Sequence, residues 1–247
     1  MRITFYNYRF APSGLITVIT LVFFLLFIAL GRWQLQRADY KRGIEQRYQQ
    51  QLQQPFHPIR LNPQQDAGLN YRKILLKGKF RMDRILLVDN KLYQGQVGYQ
   101  ILIPFFAEGS SRAVLVNRGW VASGYDRQQL PQIRPPLQPT LVKGIVTIPD
   151  IRGFHMGQVR LTDQWPQVIP YIDLENIQRG LDFEILPYVI WLSPEVEDYY
   201  ERDWNPVWSP PEKSEAYAMQ WFSFAAIALL LFIVMNLKKI KPEEVDG

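Results

Sequence analysis

Two stretches decide the architecture: Gly14–Leu30, "GLITVITLVFFLLFIAL", and Ala216–Leu237, "AYAMQWFSFAAIALLLFIVMNL". The first sits inside an uncharged run from Phe10 to Gly31, and the second carries no charge. At about 1.5 Å rise per residue, each is long enough to span a hydrocarbon core of roughly 30 Å. Neither alternates with polar positions as a helix on a soluble core does. The reading is two transmembrane helices, one at each end, with both tails in one compartment. Arg2 and Arg9 before the first run, and Ala29-Leu30-Gly31 at its close, also suit a cleaved signal peptide. Its apolar core exceeds the about 7–15 residues of a signal, so a retained anchor is expected. Lys238, Lys239 and Lys241 stop the second helix at a lipid interface. Basic residues flank both ends of each span, so charge counting does not orient the chain.

Working outward, the chain divides into a short tail (1–11), transmembrane helix 1 (12–31), a polar helical stalk (32–54), a β-rich extramembrane domain (55–215), transmembrane helix 2 (216–237) and a charged tail (238–247). The stalk is rich in Gln and Arg and continues the first helix out of the membrane, with Trp33 and Tyr40 at headgroup level. "PFHPIRLNPQQDAGLN" then breaks it with three prolines. Seven short runs rich in branched and aromatic residues follow, each bounded by turn formers: 73–80, 84–90, 99–106, 113–120, 140–148, 168–173 and 188–193. They predict an antiparallel sheet, closed or nearly closed into a barrel. The fold class is therefore a two-helix membrane anchor with an intervening β-rich α+β domain. "QLPQIRPPLQPT" reads as a proline-rich surface loop, or less plainly as a segment that binds a partner.

The 247 residues are 47% hydrophobic and 21% charged, with a formal charge of +5 and a mean hydropathy of −0.15. That average conceals the division just drawn. Without cysteine there is no disulfide, thiolate metal site or cysteine nucleophile. Two histidines, His57 and His155, leave little for a metal centre, and His155 beside Met156 makes too few ligands for copper. Glu195, Glu197, Asp198, Glu201 and Asp203 lack the spacing of a calcium loop and read as a solvated rim before Trp204 and Trp208. No serine elbow and no phosphate-cradling glycine pattern occurs. The basic residues are dispersed, which argues against nucleic acid. No catalytic residues and no metal site are expected.

Five strings fall in order: "LGRWQLQRADYK", "GQVGYQILIPF", "AVLVNRGWV", "WPQVIPYIDL" and "YAMQWFSFA". Together they resemble the surfeit locus protein 1 family, from about Gly31 to Phe224, with "VNRGWV" and "YAMQWF" the most specific parts. The resemblance implies a cytochrome c oxidase assembly factor in the bacterial inner membrane or its mitochondrial equivalent, with the domain in the periplasm. It implies oxidase subunit I and the haem-loading machinery as partners, with membrane lipid, around insertion or retention of haem a. Family members proposed to bind haem carry a histidine three residues before the tyrosine of "YAxxW"; here that position is Ser214. A hydroxyl is a poor haem-iron ligand. The expectation is therefore no stably bound cofactor, with transient haem a contact left open through Arg118, Tyr217 or Met219.

Several residues carry two readings. Arg118 either forks onto a haem propionate or locks its strand to a turn through a salt bridge. Trp120 packs in the core or the headgroup belt, or stacks on haem. Trp33, Arg37, Tyr217 and Trp221, with Arg118 and Trp120, are the candidates for partner or membrane contact. Ala218, Ser223, Ala225, Ala226 and Ala228 would admit a partner helix, or the first helix through Gly14, Thr17 and Thr20. An assembly factor leads; a haem a carrier and a membrane-tethered enzyme are the alternatives.

Overall fold

The computed structural model describes residues 3–5, 8–59, 68–124, 126–127, 129–149 and 159–239. His155 and Met156 lie outside the described residues. In chain order the first elements are β1 (Ile3–Phe5), β2 (Tyr8–Phe10), α1 (Gly14–Leu52), β3 (His57–Pro58), β4 (Lys73–Phe80), β5 (Leu86–Tyr93) and β6 (Gln96–Ala107). They are followed by β7 (Ala113–Ala122), β8 (Leu141–Thr147), β9 (Gln167–Ile169), α2 (Leu174–Arg179), β10 (Ile185–Leu192), α3 (Pro211–Asn236) and β11 (Leu237–Lys239). Two compact units result: residues 1–46 with 206–247, and residues 47–205.

In the first unit, α1 and α3 are both long and apolar enough to cross a membrane. Their side chains point outward without protein cover, as at Leu15, Val18, Val22, Leu230 and Val234. What α3 buries is a narrow stripe: Pro211, Ser214, Ala218, Ala225 and Asn236. Those spacings of three, four, seven and eleven keep one helix face. The close approach of the two helices falls at Gly31, where an added Cβ would sit 2.5 Å from the Phe222 ring. Phe27 stacks on Trp221 one turn away, with centroids 5.9 Å apart. The expected packing through Gly14 is corrected: a Cβ there meets open space, and Thr17 Oγ1 donates to Ser13 O, the residue just before α1. Ser223 and Ala226 face outward as well. Beyond the helices, β1, β2 and β11 form a three-stranded antiparallel sheet that joins the two tails, with Arg9 opposite Lys238. Asn236 fastens this junction by accepting from Ser13 N at 3.1 Å and donating to Phe232 O at 2.7 Å.

The second unit is built on one eight-stranded sheet in the order β3-β4-β8-β10-β7-β6-β5-β9. An additional β4–β6 pairing closes β4, β8, β10, β7 and β6 into a five-stranded barrel. Closure requires two backbones to approach closely, and Gly78 permits it, since a Cβ there would overlap the Phe106 carbonyl. Four of the five seams are antiparallel; the fifth, β10–β7, is parallel. The lumen is filled by alternate residues, including Ile74, Leu76, Val114, Val116, Leu186, Tyr188, Ile190 and Leu192. A second cluster (Leu86, Val88, Leu102, Leu115, Val189) packs beneath Ile177 of α2, and a third gathers Leu87, Tyr99, Ile101 and Ile103. β6 and β7 are thus covered on both faces, which is why "QILIPFF" and "AVLVN" read as nearly unbroken apolar runs.

Two of the differences from the expected strand limits have a local cause. The run 168–173 pairs only over β9, because Asp173 turns to cap α2: its Oδ1 accepts from Asn176 N at 3.1 Å. The run 84–90 extends to Tyr93 through a register shift after Val88, which Asn90 absorbs at φ 57. Asparagine tolerates that left-handed conformation better than most side chains.

Candidate functional site

The "VNRGWV" string forms a knot at the end of β7. Asn117 and Arg118 are both fully buried. Arg118 makes a two-pronged contact with Asp198, Nε to Oδ2 at 2.9 Å and Nη2 to Oδ1 at 2.6 Å. Its Nη1 donates to Arg134 O at 2.6 Å, and its guanidinium lies 4.9 Å from the Tyr200 ring centroid. Tyr200 in turn accepts from Arg134 N at 2.7 Å, which ties the proline-rich loop to the barrel. Gly119 adopts φ +125, and its N–H donates to Asn117 Oδ1 at 3.1 Å. A Cβ at this glycine would stand 2.6 Å from Glu201 O. Trp120 bridges backbone to backbone with Glu201, while its indole N–H donates to Lys91 O at 2.8 Å. Arg118, Gly119 and Trp120 of the string therefore join β7 to residues 198–201.

This geometry answers the two readings of Arg118 and Trp120. The guanidinium fork faces Asp198 inside the protein and presents no open edge to a propionate. Trp120 is a hydrogen-bonded packing residue that leans on Tyr93, centroids 5.3 Å apart. The acidic cluster is corrected too, because it is not one solvated rim: the Asp198 carboxylate is buried with Arg118, while Glu195 is exposed and pairs with Lys73 at 3.2 Å. Among the described residues no group of three His, Asp or Glu is placed to hold a metal. His57, on β3, lines an open cleft with Arg72 and Lys73.

A second constellation occupies the first unit, where α1 and α3 leave their uncharged stretches. Lys41 is only 5% exposed. Its Nζ donates to Ser209 Oγ at 2.8 Å and to Ser214 Oγ at 3.0 Å, and lies 5.1 Å from the Trp208 ring centroid. Arg37 is sandwiched between Trp33 and Trp208, at 5.5 and 5.4 Å from their centroids. Both indoles stay wet, Trp33 at 50% and Trp208 at 79% exposure. Burial, then the charges of Arg37 and Lys213, hold the Lys41 ammonium below the usual lysine range. The adjoining carboxylates are committed elsewhere: Arg42 pairs with both Asp39 and Glu215. Residue types alone flagged Trp33 and Arg37. Lys41, Ser209 and Trp208 were missed; the available signal was that Gly31, Ala38 and Lys41 share one helix face, at steps of seven and three.

Ser214 thus accepts from an ammonium, and the arrangement offers no axial ligand for haem iron at that position. Tyr217 is half-exposed and Met219 is 72% exposed on α3, two positions apart and therefore on different sides of the helix. Trp221 spends its face on Phe27.

The chain matches the SURF1 family over residues 21–226. It is similar to Surfeit locus protein 1 of Xenopus tropicalis, 26% identical over 203 residues, covering 74% of this chain and 62% of that protein. It is similar to the cytochrome oxidase assembly protein SHY1 of Saccharomyces cerevisiae, 29% identical over 97 residues, covering 38% of this chain and 24% of that one. A SURF1-like protein of Rickettsia felis is 32% identical over 108 residues, covering 43% and 46% of the two chains. The matches thus span less than two thirds of the frog and yeast proteins.

Proposed function

Because the chain belongs to the SURF1 family, we propose that it is a membrane-anchored assembly factor for cytochrome c oxidase, not an enzyme. The observation that carries this reading is the similarity to a yeast protein named for cytochrome oxidase assembly. The architecture supports it: two apolar helices frame a barrel whose most specific motif is consumed in holding the fold together. The proposed clients are oxidase subunit I and its haem-loading machinery, met in the bacterial inner membrane with the barrel on the periplasmic side. The bacterial relative supports that compartment. Retention of the first helix as an anchor is favoured by its contacts, since Gly31 seats Phe222 and β2 pairs with β11.

We place the protein's action at haem a insertion into, or stabilisation of, subunit I, without a haem of its own. The donor set motivates this: a serine hydroxyl already taken by Lys41, and an exposed thioether and phenol that do not converge. A strain lacking the gene, assayed in membranes for haem a content and oxidase activity, tests the proposal. Both values are expected to fall, and normal values for both reject it. Purified full-length protein is expected to show no haem absorbance; a stoichiometric haem band lost on Met219→Leu or Tyr217→Phe replacement would reinstate a carrier. Reporter fusions after residues 59 and 239 check the orientation, with the barrel and the tail reporting opposite sides.

A further inference from the structure

Lys41 presents a physical problem. An ammonium taken out of water loses several kcal/mol of hydration, which an opposing charge normally offsets. Here it has two neutral hydroxyls and a ring face. Of its three N–H donors, two are placed on the serines. The charges around it make matters worse, since Arg37 and Lys213 carry its own sign. Asp39 and Glu215 are held by Arg42, and Glu212 is exposed without an ion pair among the described residues. Among the described residues, no carboxylate pairs directly with Arg37, Lys41 or Lys213, and the neighbouring Asp39 and Glu215 share the single guanidinium of Arg42. The first turn of α3 has no side-chain cap at Pro210, and its one acid there is the exposed Glu212.

Depth identifies the missing anion. Ser214 precedes the uncharged stretch of α3, which starts at Ala216, by about 3 Å of helix rise. Arg37 follows the last uncharged residue of α1, Gly31, by about 9 Å. The headgroup layer adds roughly 5–8 Å to each side of the hydrocarbon core. Lysine and arginine side chains on a helix lean toward its N-terminus, here back toward the membrane. Set on the level where Gly31 meets Phe222, the Arg37 guanidinium falls at headgroup level, while the Lys41 ammonium, held against Ser214 about 12 Å from Phe222, stands just outside that layer. Trp33 and Trp208 supply the exposed indoles that favour that layer.

We propose that Arg37, Lys41 and Lys213, framed by Trp33 and Trp208, form a binding site for the phosphate of an anionic phospholipid headgroup. Arg37 and Lys213 meet the phosphate from the open side. Lys41 stands behind them as a fixed charge, kept in place by Ser209 and Ser214. The lipid supplies a direct ion partner for cations that have none among the described residues, and its acyl chains continue along the exposed apolar faces of α1 and α3. The site rests on the reading that both helices span a membrane.

The test uses full-length protein in phosphatidylcholine micelles, titrated with phosphatidylglycerol, with extra phosphatidylcholine, or with inorganic phosphate. Bound lipid is read by native mass spectrometry and by the melting temperature. Phosphatidylglycerol is expected to bind and to raise the melting temperature, whereas the other two additions leave both unchanged. Arg37→Gln, alone and with Lys41→Met, is expected to weaken binding, by about 10- to 30-fold for the pair, as two basic groups at a lipid surface predict. Arg37→Gln alone decides the matter if the double variant does not fold. Equal retention of both lipids, or undiminished binding by folded Arg37→Gln protein, overturns the site. Binding of inorganic phosphate at the same affinity overturns the assignment to lipid. Alkaline carbonate extraction of cell membranes separates the two levels. Protein released by carbonate overturns the anchor along with the site, while retained protein without lipid preference overturns the site alone.

Discussion

Arg118 and Lys41 are both buried cations, and they are satisfied in opposite ways. In the barrel, Arg118 has a carboxylate in two-pronged contact, a carbonyl and an aromatic face. Where the apolar helices end, Lys41 has two hydroxyls, an aromatic face and two neighbouring cations. The first charge is balanced within the fold and therefore holds structure. The second is left for something outside the chain, and therefore marks a place of contact. A motif that is specific in sequence need not be the functional surface; in this chain the more specific string builds the scaffold.

The largest expected effect breaks the closed pair. Asp198→Ala or Arg118→Met leaves one buried charge unopposed and is expected to cost about 3–5 kcal/mol. Denaturant unfolding of the full chain in micelles, followed by near-ultraviolet circular dichroism, measures it. The combined Arg118→Met, Asp198→Leu protein should recover most of that loss, because no charge then remains uncompensated. If the double variant is as unstable as either single one, the pair is more than a structural tie. Next in size is Gly119→Ala. At φ +125 only glycine is unstrained, and the new Cβ would press on Glu201 O. A loss of about 1–3 kcal/mol is expected in the same assay. A neutral result would mean that the turn between Arg118 and Trp120 relaxes freely.

Much of this fold is legible in sequence, and the exceptions have physical causes. The helical ends are visible because uncharged length is a local property. The limits of β4 are visible because Lys73 and Phe80 bound an alternating run. The parallel β10–β7 seam is invisible, since a strand's composition does not encode its neighbour's direction. Asp173 looks like a strand end in sequence because its role depends on a backbone turn three residues on. At the site, Arg118 is conspicuous, but Asp198 is 80 positions away among exposed acids that look the same. Lys41 is hidden for the same reason in reverse: it sits in a run of stalk cations, and Ser209 and Ser214, 168 and 173 positions on, bury it.

Alkaline pH sharpens the contrast between the two units. In the barrel unit, burial, then Asp203 and Tyr71, push the Tyr48 hydroxyl from an ordinary 10.0 up to about 12. Between those values the folded state holds a proton that the unfolded state has lost. Stability present below about pH 10 therefore declines toward pH 12, by at most ~1.4 kcal/mol per pH unit. Tyr48→Phe should flatten that decline in unfolding midpoints taken from pH 9 to 12. Lys41 has the opposite sign: its proton affinity is depressed in the fold, so its contribution improves as pH rises toward the ordinary 10.5. Lys41→Met should remove that rise in phosphatidylcholine micelles.

The smallest effect is the most discriminating. Ser214→Ala removes one of two hydroxyls from Lys41 and leaves Ser209 and the Gly31–Phe222 contact intact. If the counter-charge comes from outside, the serine contributes one hydrogen bond to a charged donor whose other partners persist. The expected loss in phosphatidylcholine is then about 0.5–1.5 kcal/mol, and it shrinks when phosphatidylglycerol is added. If Lys41 instead relied on the serines as Arg118 relies on Asp198, Ser214→Ala would cost as much as Asp198→Ala. Melting curves of the two variants, run side by side in each lipid, distinguish a charge balanced within the fold from one that awaits a ligand.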